Sequence, residues 1–70
     1  MAKYEGLKRM QGLLSEETLS MDTISTLIRP MENLSIDERE AYSLKVLKIT
    51  DQYNTDQEVL KIAREQKLIP

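Results

Sequence analysis

Apolar side chains recur at helical spacing along nearly the whole chain, and the breaks in that spacing mark out four segments. In the first, Tyr4, Leu7, Met10 and Leu14 share one face at steps of three and four. Gly6 and Gly12 lie inside this stretch, and each costs about 1 kcal/mol relative to alanine within a helix. This helix is therefore the weakest of the set, and Gly12 is one place for it to end. Ser15-Glu16-Glu17 reads as the cap of a short turn leading into the second helix.

Met21, Ile24, Leu27, Ile28, Met31 and Leu34 then hold a single phase straight through Pro30. Proline lacks an amide and turns the preceding residue away from helical dihedrals. The pattern predicts a helix over about 21–29, followed by a turn over 30–34 that still faces the core. A kinked helix reaching 33 is the alternative. Either way the seam lies between Pro30 and Ser35.

Two stretches carry the grammar of a helix start. In Ser35-Ile36-Asp37-Glu38 the serine hydroxyl accepts the Glu38 amide, and the Glu38 carboxylate accepts the Ser35 amide. Thr55-Asp56-Gln57-Glu58 repeats the arrangement. The acidic residues also suit the positive end of the helix dipole. Helices are expected over about 36–53 and 56–67, with Asn54 in the left-handed conformation closing the former.

The third helix carries apolar residues on two stripes. Tyr42, Val46, Ile49 and Tyr53 form one, free of charge. Ile36, Leu44 and Leu47 form the other, interrupted by Glu40 and Asp51. So wide an apolar surface suits a helix with neighbours on two sides. In the fourth helix Val59, Ile62 and Ala63, with Ile69 beyond it, point inward; Ile49, Tyr53, Leu60 and Ala63 are expected to join helices three and four. The fold class that follows is all-α: a small bundle of three to four short helices, one domain over 1–70, with helix 36–53 central.

Composition narrows the chemistry. The 70 residues include no cysteine and no histidine, and neither phenylalanine nor tryptophan. Disulfides, thiolate nucleophiles and the usual near-neutral general base are thereby excluded. Leu, Ile and Val supply 18 residues and Met four, so the core is aliphatic and deformable. A chain this short buries a modest fraction of its surface and is marginally stable, which gives a partner chain or self-association some weight.

The net charge is −2, divided evenly between the two halves, with neither a basic arm nor an acidic tail. The longest uncharged runs are six residues, far below a membrane span, and the first ten residues lack the apolar core of a secretory signal. A cytoplasmic location is the expectation. No glycine-rich phosphate loop, HExxH or EF-hand spacing occurs. The paired carboxylates Glu16/Glu17 and Asp37/Glu38 sit at helix starts, where capping accounts for them, and neighbours on a helix do not face each other. No enzyme activity, cofactor or metal site is expected.

Two surfaces remain as candidates. The first is the apolar face of Tyr42, Val46, Ile49 and Tyr53, read as the docking surface of a small non-enzymatic regulator or inhibitor of a larger protein, or as a self-association surface. Met10, Met21 and Met31, with the helix-three tyrosines, are read either as core filler or as the lining of an adaptable groove. The alternative is a helix-turn-helix regulator that reads nucleic acid with Gln57, Lys61, Arg64 and Lys67. The acidic balance of the chain weighs against it. A structural subunit of an assembly is a third class.

Overall fold

The computed structural model describes residues 3–13 and 19–70. Leu14 and Ser15-Glu16-Glu17 lie outside the described residues. Within them the chain forms α1 (Glu5–Leu13), α2 (Met21–Ile28), a 3-10 helix (Arg29–Asn33), α3 (Ile36–Gln52) and α4 (Asp56–Glu65), with no strand. The all-α bundle read from the sequence is the observed fold.

Each start has a polar cause. Ser20 caps α2 by accepting the Thr23 amide, and its own amide donates to Asp56 Oδ1 at 3.1 Å. One carboxylate thus tethers the start of α2 to the start of α4. Ser35 and Glu38 form the complete capping box of α3. At α4 the Thr55 hydroxyl accepts the Glu58 amide, but the Glu58 carboxylate takes the Thr55 hydroxyl proton rather than the Thr55 amide.

The stretch around Pro30 falls between the two readings of the sequence. The α-helix stops at Ile28, and the chain continues as a tighter helix to Asn33. In a 3-10 turn the Leu27 carbonyl would pair with the amide of residue 30, which proline lacks. The Tyr42 hydroxyl, buried on α3, donates to that carbonyl instead. Arg39 closes the other end, donating from Nε to the Leu34 carbonyl at 3.0 Å.

Helix ends depart from expectation. Helix α3 stops at Gln52 with Tyr53 extended, and Asn54 is not left-handed. Helix α4 ends at Glu65, two residues short of the expected boundary. The left-handed residue is Lys67 (φ 61°), which lets the Lys67 amide reach the Arg64 carbonyl and the Leu68 amide reach the Ala63 carbonyl. That is the Schellman closure. It is normally made by glycine; a side chain in this conformation costs about 1–2 kcal/mol.

Helix α3 is central, packing against both α1 and α4. The core is Met10, Leu19, Ile24, Leu27, Tyr42, Val46, Leu47, Ile49, Val59, Ala63 and Ile69, with Met31, Leu34, Tyr53, Leu60 and Ile62 packed against it. It is aliphatic, as the composition required. Met21 keeps the phase of α2 yet is 63% exposed.

Candidate functional site

The charge-free stripe of α3 is not a surface. Val46 is 0% exposed, and Tyr42 and Ile49 are buried beside it; Tyr53 is half-buried against the same core. Reading these residues as a docking face was wrong for a physical reason: α2 and α4 together supply enough apolar side chain to cover them. Burial pushes the Tyr42 hydroxyl pKa up to about 12, so it stays a donor.

The interrupted stripe has a different use. Its carboxylates dock α1. Glu40 accepts the Gly6 amide on Oε2 at 2.8 Å and the Leu7 amide on Oε1 at 2.9 Å. These are first-turn amides that no helical carbonyl can satisfy. Glu40 therefore caps α1 from another helix. Gly6 is what permits the approach: a Cβ there would lie 2.7 Å from Oε2. Farther along, Asp51 takes both its hydrogen bonds from Arg9 Nη2 at 3.1 Å, and the Tyr4 hydroxyl reaches Asp37 at 3.4 Å. The apolar members of this stripe divide: Leu47 is buried, while Ile36 and Leu44 are 51% and 50% exposed.

Docking α1 in this way creates a groove. Leu7 and Met10 of α1 form one wall, Ile28 and Met31 the other, and Ile36 and Arg39 lie at the start of α3; the space is about 330 Å³. Arg39 is held in place by the carbonyls of Leu34 and Glu32. On the far side of Ile28 a second hollow, about 250 Å³, is lined by Met21, Ile24, Arg29 and Glu32. Ile28 belongs to both. The three methionines singled out in the sequence thus line two hollows that share Ile28, but without Tyr42 or Tyr53. The sequence signal that was available is Ile36: a large apolar residue in a first helical turn, between a cap and two acids, has few intrachain neighbours.

No protein-family model matches the chain, and no curated protein or solved structure is significantly similar to it. Function must therefore be argued from these surfaces alone.

The other candidate set, Gln57, Lys61, Arg64 and Lys67, is exposed throughout. Helices α3 and α4 are joined by a three-residue turn, as a helix-turn-helix requires. The four residues do not form one stripe, however. Lys67 lies beyond the helix end, where its left-handed backbone takes it off the α4 face. Glu58 and Glu65 lie on the same helix. A further groove, about 490 Å³ between α3 and α4, is lined by Lys45, Lys48, Tyr53 and Ile62 and includes none of the four. Among the described residues no cluster of acids is arranged to hold a metal ion, and no helix is long and apolar enough to cross a membrane.

Proposed function

We propose that this chain is a small non-enzymatic protein-binding module, a regulator or inhibitor that seats an amphipathic helix of a larger partner in the groove around Ile28. The observation that carries the reading is a pair of hollows sharing Ile28, one lined by Met10 and Met31 and the other by Met21, with Met21 and Ile36 more than half exposed. Methionine is unbranched and polarisable, so a methionine-lined groove adapts its shape to an incoming helix. Arg39, fixed by backbone carbonyls, gives the groove a rigid polar rim. The docking surface is thus moved from the buried stripe of α3 to the face where α1, α2 and the 3-10 helix meet.

The test uses Met21→Glu and Ile36→Glu, both at exposed positions where substitution leaves stability within about 0.5 kcal/mol. Partners captured by the wild-type protein from its native host are identified, purified and titrated against all three proteins, with the methionine methyl resonances followed by NMR. Loss of affinity in both variants, with shifts at Met10, Met21 and Met31, supports the reading. A purified partner that binds both variants as tightly as wild type overturns it. Binding to duplex DNA that weakens steeply with salt and depends on Lys61 and Arg64 would favour the nucleic-acid alternative.

A further inference from the structure

Another groove lies where residues 67–70 pass beside the 3-10 helix, and its chemistry differs from that of the methionine face. It measures about 760 Å³. Its floor is apolar, from Pro30, Leu68 and the buried Ile69. Arg29 and Lys67 stand on its wall, Asn33 beside them, and no acidic side chain lines it. Neither cation makes a side-chain hydrogen bond or ion pair among the described residues. In a chain that carries 12 acidic and 10 basic residues, a groove lined by two basic side chains and by no Asp or Glu is a local reversal of sign; Thr26 and Pro70, the last residue of the structure, complete its lining.

A second observation concerns the same lysine. Lys67 occupies the left-handed position that closes α4, where glycine would close the helix without steric cost. The lysine side chain adds nothing to that closure, which is made by the backbone amides of Lys67 and Leu68. What it does do is add a basic residue to the lining of this groove, which Arg29 also lines. Backbone strain held where it places a charged group is the pattern expected of a binding site.

We infer that this groove binds a short acidic peptide segment of a protein, with an Asp or Glu carboxylate held by Arg29 and Lys67 and a neighbouring apolar side chain resting on Pro30, Leu68 and Ile69. Arginine presents a planar pair of donors that matches a carboxylate, and lysine adds a point charge. Asn33, which also lines the groove, carries an amide able to pair with a peptide backbone. The site stands apart from the methionine groove, although Arg29 lines both this groove and the hollow beside Met21.

The experiment is selection of a displayed random decapeptide library on the full chain. Enriched peptides are then titrated by NMR against wild type, Arg29→Gln, Lys67→Gly and Ile36→Glu. The expected result is enrichment of Asp or Glu next to a large apolar residue, with amide shifts at Asn33, Lys67 and Leu68. Arg29→Gln and Lys67→Gly should each weaken binding roughly tenfold or more. Lys67→Gly should do so while raising the melting temperature, which separates lost recognition from lost fold. Ile36→Glu, in the methionine groove but in no hollow that Arg29 lines, should bind these peptides as wild type does; that outcome also holds this proposal apart from the methionine-groove reading. Failure to enrich acidic peptides, unchanged affinity in Lys67→Gly, or a random-sequence DNA or RNA duplex that binds the same residues more tightly than the peptides would each overturn it.

Discussion

Removing the Glu40 carboxylate tests whether one helix is capped by another. Its two oxygens accept the Gly6 and Leu7 amides at 2.8 and 2.9 Å. A lost cap costs about 0.5–2 kcal/mol, and two bonds to a charged group set an upper bound of about 3 kcal/mol at the weak end of their range. For this half-buried group we expect Glu40→Ala to cost about 2 kcal/mol, which lowers the melting temperature of a domain this size by about 8–16 °C. The sharper test is the cycle with Gly6→Ala. In the wild-type background the new Cβ meets Oε2 at 2.7 Å and displaces the carboxylate. Gly6→Ala should then destabilise by about 1 kcal/mol. In the Glu40→Ala background nothing is left to displace, and alanine's better helix propensity should stabilise by up to about 1 kcal/mol. The sign of one substitution thus reverses with the other. Urea unfolding of the four proteins measures the coupling. Effects that add to within about 0.5 kcal/mol would refute the cap.

Three further outcomes are expected. Tyr42→Phe removes the donor to the Leu27 carbonyl and should cost about 1–2 kcal/mol in thermal unfolding; an unchanged melting temperature would show that the bond carries nothing. Ser43 is fully buried on α3 and its hydroxyl has no partner among the described residues, so Ser43→Ala should stabilise by about 1 kcal/mol; a fall in the urea midpoint would contradict this. Glu38 is held below its ordinary pKa of 4.5, first by the Ser35 amide and then by the Ser35 hydroxyl. Its contribution is therefore complete above the unfolded pKa and is lost as pH falls through the depressed folded value. The melting-temperature gap between wild type and Glu38→Ala should close as pH drops below about 4, and a gap independent of pH would exclude the carboxylate as the cause.

What was legible in the sequence was local. Ser35 and Thr55 cap helices within four residues of themselves, so their meaning does not depend on the rest of the chain. The apolar period through Met31 and Leu34 correctly kept that segment on the core despite Pro30. What was not legible was any polar group whose partner lies far away. Glu40 and Asp51 read as defects in a stripe because Gly6, Leu7 and Arg9 are 33 to 42 residues distant. The same blindness made a buried stripe look like a surface. Helical projection separates apolar from polar positions on α3 but cannot say which apolar arc its neighbours reach. Val46 and Ile49 were covered, whereas Ile36 and Leu44 were not. Lys67 eluded the reading because glycine or asparagine, not lysine, is the usual mark of a left-handed helix end.

The clamp on α1 also couples two helices in folding. A nine-residue helix with two glycines cannot persist alone in water, and its cap resides 34 residues away in sequence. Helix α1 therefore forms only with α3 in place, where Glu40 and Asp51 hold it. Whatever unravels the start or end of α3 releases α1 as well.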